Sequence, residues 1–171
     1  KVFAKWSNLF GYGLFFVALL TFGLTVEPTA SFWDCAEYIA TSAKLQVGHP
    51  PGAPLFQMMG AFFSIFASSP DQIALMVNFM SVISSATTVL FLFWTITLLL
   101  KKIYNIKSFD NSIKRISFFG SASIGSLAFC FSDSFWFNAV EAEVYAMATC
   151  LMSIMFWVSL KWESEMNTPR G

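Results

Sequence analysis

The sequence has little charge, few cysteines and a single histidine. Charged residues make up 12% of the chain, against roughly a quarter in soluble domains, and the formal net charge is zero. The basic residues form no stripe of the kind that binds nucleic acid, so we expect no nucleic-acid partner. The three cysteines contain no C-x-x-C pair, and an odd number argues against a disulfide framework. Phosphate-binding glycine loops and a Ser-His-Asp order are also missing, which argues against a nucleotide site or a hydrolase.

Apolar residues are abundant instead. They make up 56% of the chain, with 21 Phe and six Trp, and the mean hydropathy is +0.63. A helix needs about 20 apolar residues to cross a bilayer. Four runs meet or approach that length, at 9–26, 73–100, 116–136 and 144–160. We therefore predict an all-α membrane protein with four transmembrane helices in a single transmembrane domain over 1–171, read as a fragment of a longer chain.

A fifth apolar run, 53–67, is too short for a clear span, and the distribution of positive charge decides its place. Basic residues precede the first run and crowd the link after the second, where Asp110 alone opposes them. The residues concerned are Lys1, Lys5, Lys101, Lys102, Lys107, Lys114 and Arg115. The positive-inside rule puts both basic segments in the cytoplasm, so an even number of spans must separate them. The run 53–67 therefore should not cross, and 27–72 and 132–143 become outer loops.

The first outer loop carries signals for two helices. Ser31 fits an N-cap with Asp34 three residues on, which predicts a helix over about 33–45. The stretch 49–54 reads HPPGAP and breaks it, because residues before proline are pushed towards extended geometry. The apolar run 53–67 then suits a second juxtamembrane helix at the membrane interface.

Asp34 and Glu37 are three residues apart and share one face of the first of these helices. A carboxylate there could act as a general base on a hydroxyl acceptor, and the helix dipole would keep Asp34 ionised. The alternative is that Asp34 only completes a capping box with Ser31.

Three candidate residues lie where the last apolar run, 144–160, begins, namely Glu141, Glu143 and Tyr145. If they are helical, Glu141 and Tyr145 share a face while Glu143 points elsewhere. Carboxylates at a membrane boundary are costly and often functional. Acidic residues also simply favour the first turn of a helix, and this second interpretation stays open.

Three further residues of the first loop are binding candidates. His49 could bind a lipid phosphate or donate a proton, or it could be a solvated residue before a rigid turn. With no second histidine or thiolate nearby, we predict no metal site on it. Lys44 either pairs with a phosphate or faces the helix C-terminal dipole. Trp33 is either an interfacial anchor or a surface for stacking a sugar.

Three blocks of sequence resemble a known family. They are EPTASFWDCAEY at 27–38, KLQVGHPPGAPL at 44–55, and FSDSFW with VEAEVY between 131 and 145. Together they resemble a bacterial membrane-protein family that is grouped with the GT-C glycosyltransferases as relatives of the protein O-mannosyltransferases. The resemblance covers nearly the whole chain.

The resemblance implies the N-terminal part of a GT-C fold. Such enzymes have a cytoplasmic N-terminus and a first outer loop with juxtamembrane helices and a catalytic Asp or Asp-Glu, a position that Asp34 matches. The His-Pro-Pro block matches the start of the second juxtamembrane helix. The second acidic group lies in the next outer loop, where Glu141 and Glu143 stand. Family members are much longer, with further spans.

The implied activity is inverting transfer of a hexose, with mannose expected, from a polyprenyl-phosphate carrier to a Ser or Thr hydroxyl of an exported protein. Asp34 would be the base, and Glu37 would orient either Asp34 or the acceptor. Glu141 or Glu143 would position hydroxyls of the acceptor or the sugar, and Lys44 or His49 would face the phosphate. The partners would be the lipid-linked donor, the acceptor protein and membrane lipid. No cofactor is expected to be required, and dependence on a divalent metal stays open. The implied location is the bacterial inner membrane, as a multi-pass protein with its site on the non-cytoplasmic side.

Two other classes remain in contention from the residues alone. A transporter or flippase component would place its acidic residues near the bilayer midplane. A non-catalytic membrane scaffold would bury Asp34 in a helix cap with no cavity around it.

Overall fold

The computed structural model describes residues 2–106, 109 and 111–166. Lys1, Lys107 and Asp110 of the charge argument lie outside the described residues. The described chain contains helices and no strand, which confirms the predicted all-α class. The helices are α1 (Val2–Leu24), α2 (Cys35–Lys44), α3 (Pro54–Ser64), α4 (Ile73–Ile103), α5 (Ser112–Cys130), α6 (Asp133–Ala139) and α7 (Val144–Glu165), with a 3-10 turn (Pro70–Gln72) before α4.

Three helices are long and apolar enough to span a membrane by themselves, namely α1, α4 together with its 3-10 turn, and α7. All three extend beyond the predicted apolar runs, α1 at its start and α4 and α7 at their ends. Lys5 lies inside α1, and Lys101 and Lys102 lie inside α4. Hydropathy detects only the apolar middle of a helix, and lysines are good helix formers that continue it into the polar region.

The third predicted span, 116–136, is not one straight helix. It divides into α5 and α6, which meet at 69° and reach the apolar length of a span only as a pair. Ser132 lies between them in an extended conformation (φ −69°, ψ 140°) as the N-cap of α6, and Asp133 occupies the first turn. Serine and aspartate favour a new helix start over continuation of the old helix. The predicted outer loop 132–143 therefore contains a short helix.

Helix α4 is the centre of the bundle and packs against α1, α5 and α7. Small residues allow the close approach of α1. The buried face of α1 consists of Ser7, Gly11, Leu14, Ala18 and Phe22 at helical spacing. A Cβ on Gly11 would lie 2.7 Å from Trp94 Nε1 on α4, so only glycine fits there without a shift. Small residues at helix contacts are typical of membrane bundles.

The two ends of the bundle differ in charge. At the first, which we name the basic end, the start of α1 meets the ends of α4 and α7. Lys101 lies 4.8 Å from the centre of the Phe3 ring, and Lys102 pairs with Glu163. The opposite, acidic end carries Asp34, Glu37, Glu141 and Glu143. Helices α2 and α3 have 10 and 11 residues and are too short to span. The basic and the acidic groups therefore lie at opposite ends of the bundle, as the topology argument predicts.

Helices α2 and α3 pack on each other and on the first turns of α4. Phe56 and Gly60 of α3 face inward. The opposite face of α3 is exposed and apolar, and consists of Leu55, Met58, Met59, Phe62 and, beyond the helix end, Ile65 and Phe66. An uncharged, outward apolar face of this kind fits the predicted position at the membrane interface.

Candidate active site at the acidic end

A buried asparagine holds the segment that leads from α1 to α2. Asn78, on α4, is fully buried, and its amide group donates to the carbonyls of Glu27 (2.6 Å) and Thr29 (2.8 Å). The backbone N–H of Glu27 also donates to the carbonyl of Val140 at 2.9 Å. These bonds fix the loop after α1 between the first turns of α4 and the loop before α7.

Ser31 does not cap α2, contrary to the sequence prediction. The helix begins at Cys35 and not near residue 33, because Trp33 has a left-handed backbone (φ 61°) that breaks the helical path. The Ser31 hydroxyl instead donates to Glu141 Oε2, 110 positions away in the sequence. This tertiary hydrogen bond replaces the local cap.

Asp34 precedes α2 at the N-cap position, but its side chain makes no capping hydrogen bond. The carboxylate is 54% exposed. The capping-box interpretation of Asp34 is therefore wrong. The carboxylate stands at the surface of the acidic end, where an incoming hydroxyl can reach it.

Glu37 and His49 form a close pair beside Asp34. Glu37 Oε1 accepts the backbone N–H of His49 at 2.6 Å, and Glu37 Oε2 lies 2.9 Å from His49 Nδ1. The His49 backbone and side-chain hydrogen bonds lower the pKa of Glu37, and the hydrogen bond and charge of Glu37 raise the pKa of His49. The HPPGAP stretch thus folds back so that its histidine meets the predicted carboxylate face of α2.

Asp34, Glu37 and His49 converge on one point. His49 Nε2 lies 3.8 Å from Asp34 Oδ2, which is too long for a hydrogen bond. One ligand atom from each of the three residues lies within 4.8 Å of the others, a spacing compatible with a divalent cation. The sequence prediction of no metal here stays untested.

Glu141 and Glu143 are buried, with 2% and 6% of their surface exposed. Burial raises the pKa of Glu141, and burial together with the charges of Glu141 and Asp34 raises the pKa of Glu143 to about 7. The nearby backbone N–H groups of Val144 and Asp34 act on this pKa in the opposite direction. Glu143 therefore lies close to Asp34, which brings the two acidic segments together.

The predicted shared face of Glu141 and Tyr145 is wrong. Helix α7 begins at Val144, with Glu143 extended (φ −119°, ψ 142°) as its N-cap, so Glu141 is not helical.

Tyr145 is exposed in the first turn of α7, and Trp33 is 85% exposed beside Asp34. Lys44 is exposed at the far end of α2, about 15 Å along the helix from Asp34 at 1.5 Å per residue.

The sequence interpretation missed two residues of this site. One is Asn78, and a polar side chain in a long apolar run could have indicated it. The other is Tyr38, whose ring packs 5.3 Å from that of Phe56 and 6.3 Å from that of His49. Burial and the carboxylates of Glu143, Asp34 and Glu37 raise its pKa. No sequence signal distinguishes this tyrosine from a core aromatic residue.

These features define an all-α membrane protein with a group of converging carboxylates and one imidazole at one end of its helical bundle. Residues 34–171 match the family described as the protein O-mannosyl-transferase TMEM260 N-terminal domain, and the chain belongs to that family. It is also 24% identical over 148 residues to the protein O-mannosyl-transferase tmem260 of Dictyostelium discoideum. That match covers 86% of this chain and 16% of the relative, so the chain spans only a small part of the relative's length. No solved structure matches.

Proposed function

We propose that this chain is the N-terminal, GT-C-type membrane domain of a glycosyltransferase that transfers a hexose, with mannose expected, from a polyprenyl-phosphate carrier to a protein Ser or Thr hydroxyl. The acidic end would face the non-cytoplasmic side. One observation carries the proposal. Asp34 and Glu143, from two distant segments, meet in one group while Asp34 keeps an exposed carboxylate. Membership in the O-mannosyl-transferase family supports the reaction class.

The reaction assigns a task to each group. Asp34 removes the proton of the acceptor hydroxyl as its oxygen bonds to the anomeric carbon, and the bond from that carbon to the lipid phosphate breaks. The departing phosphate is anionic and needs a cation. His49 is the better placed candidate, because it lies beside Asp34 with a raised pKa, whereas Lys44 stands at the other end of α2. Glu37 orients His49.

The two rival classes fit the geometry less well. A transporter site is expected near the middle of the spans, but the acidic groups here lie in loops and at helix starts at one end. A scaffold would bury Asp34 in a cap, but its carboxylate is exposed and makes no capping bond.

The test is sugar transfer by the full-length protein in detergent or nanodiscs, from labelled polyprenyl-phosphate-mannose to an acceptor protein. We expect Asp34→Asn to lower the rate about 10²-fold or more, the usual contribution of a general base. Asp133→Asn, an exposed aspartate at the start of α6, is the matched control and should keep near-normal transfer. Near-normal transfer by Asp34→Asn would remove Asp34 from the role. Absence of transfer by the wild type from any polyprenyl-phosphate hexose would refute the reaction itself.

A further inference from the structure

The basic end contains a cavity that the proposed reaction does not use. Its volume is about 820 Å³, within the range of about 300–1,000 Å³ that pockets for small ligands occupy. It opens between the start of α1 and the ends of α4 and α7. Because the acidic site lies at the opposite end of the spans, this cavity is a separate feature of the molecule.

The lining of the cavity is divided between apolar and charged side chains. Phe3, Leu98 and Leu160 provide apolar walls from three different helices. Lys101, Lys102 and Lys161 come from two helices to the same cavity, and Glu163 is the acidic residue among the lining side chains. Such a lining matches a molecule with an anionic head and apolar chains better than a small soluble anion.

The lysines remain available to a ligand. Lys102 pairs with Glu163, and Lys161 pairs with Glu165 at 2.7 Å, but these side chains are about half exposed. Exposed ion pairs contribute little and exchange readily for another anion. Lys101 lies over the Phe3 ring at 4.8 Å, and the described residues give it no carboxylate partner. Its charge is therefore the least compensated of the three.

We propose that this cavity binds the headgroup of an anionic phospholipid, with its phosphodiester against Lys101 and Lys161 and its acyl chains along Leu98 and Leu160. Basic pockets between transmembrane helices are known to hold anionic headgroups, and each nearby lysine contributes about fivefold to such binding. The proposal is independent of the glycosyltransferase function.

Binding of phosphatidylglycerol and of phosphatidylcholine to the purified full-length protein, counted by native mass spectrometry, tests the proposal. We expect a clear preference for phosphatidylglycerol in the wild type. In the double variant Lys101→Gln with Lys161→Gln, the preference for phosphatidylglycerol over phosphatidylcholine should fall about 25-fold, at about fivefold per lysine. Lys5→Gln removes one exposed lysine of α1 that does not line the cavity, and it should keep the wild-type preference.

A variant that removes a negative charge distinguishes loss of binding from a folding defect, because it is expected to raise the affinity. Glu163→Gln removes the acidic residue of the lining, and it should raise the affinity for phosphatidylglycerol about fivefold. An unchanged or lower affinity of Glu163→Gln for phosphatidylglycerol would contradict the proposal. A double lysine variant that keeps the wild-type preference would contradict it as well. Absence of any preference in the wild type would overturn the proposal. Competition by millimolar inorganic phosphate would reassign the site to a soluble anion and overturn the lipid proposal.

Discussion

Glu37 holds His49 by two contacts, one to the backbone N–H and one to the imidazole ring. The carboxylate therefore joins helix α2 to the segment that leads into α3, across the proline-rich turn. The pKa of the histidine rises and the pKa of the glutamate falls, so both partners are charged over a wider pH range. This contribution to stability is lost as the pH falls through the lowered pKa of Glu37 or rises through the raised pKa of His49.

Replacing Glu37 by Gln should return the pKa of His49 towards its ordinary value of about 6.5, because the negative charge and the carboxylate hydrogen bond both disappear. The measurement is a pH titration of the imidazole signal by ¹³C NMR of histidine-labelled full-length protein. The signal is assigned by its loss in His49→Gln. Asp71→Asn, an exposed carboxylate in the 3-10 turn, should leave the titration unchanged. An unshifted titration in Glu37→Gln would show that the pair is not formed.

Gly48 is the residue next to this pair, and alanine in its place should separate the two side chains. An added Cβ would lie 3.0 Å from Glu37 Oε1 and 3.1 Å from Gln57 Nε2. Because Glu37 Oε1 already accepts the backbone N–H of His49, we expect Gly48→Ala to displace the carboxylate and to lower the pKa of His49. If His49 serves the departing phosphate, transfer should also fall about tenfold, a loss of about 1.4 kcal/mol in transition-state stabilisation.

The matched control for this substitution is Gly13→Ala in α1, where an added Cβ meets nothing within 4 Å. It should leave both the titration and the transfer rate unchanged. A Gly48→Ala protein with a wild-type histidine titration would mean that the neighbouring side chains adjust without moving Glu37.

Glu143 is expected to make stability depend on pH. Its pKa is raised from 4.5 to about 7, so the folded chain binds more protons than the unfolded chain between these values. Stability from this group is therefore greatest below about pH 4.5 and falls as the pH rises to about 7. In Glu143→Gln this fall should be absent, so the difference in Tm between pH 5 and pH 8 should become smaller than in the wild type.

The measurement is thermal unfolding of the detergent-solubilised protein at several pH values. A stability change of 1 kcal/mol moves Tm by about 2–4 °C in a chain of this size. Asp71→Asn serves again as control and should keep the wild-type pH dependence. A larger pH dependence in Glu143→Gln would have the wrong sign and would contradict the raised pKa.

The local features of this fold could be predicted from the sequence. The Ser31–Asp34 spacing and the prolines placed α2, and the apolar run 53–67 placed α3, each within three residues of the actual bounds. The spacing of Asp34 and Glu37 also predicted correctly that they stand together near the start of α2. Hydrophobic periodicity and proline geometry act over a few residues, so a single sequence contains enough information to locate these helices.

The contacts between distant segments could not be predicted in the same way. Ser31 looked like a helix cap because its local spacing is correct, but a hydrogen bond to Glu141 removes it from that role. The bend between α5 and α6 was missed because hydropathy measures apolar length and not direction. The position of His49 against Glu37 depends on the path of the chain through its proline turn. For Ser31, the tertiary hydrogen bond overrides a local capping preference that is worth about 1 kcal/mol.

Asn78 should prove the most important structural residue of the acidic end. Asn78→Leu keeps the number and branching of the side-chain heavy atoms on α4 but leaves the carbonyls of Glu27 and Thr29 without their amide donor. An unpaired buried polar group costs about 1–3 kcal/mol. We expect a loss of stability in this range, together with faster proteolysis in the segment before Asp34.

Thr87→Val is the control, because the Thr87 hydroxyl bonds only the Ile83 carbonyl of its own helix. Its proteolysis pattern should match the wild type. If Asn78→Leu also matched it, the segment would be held by the Ser31–Glu141 and Glu27–Val140 contacts alone.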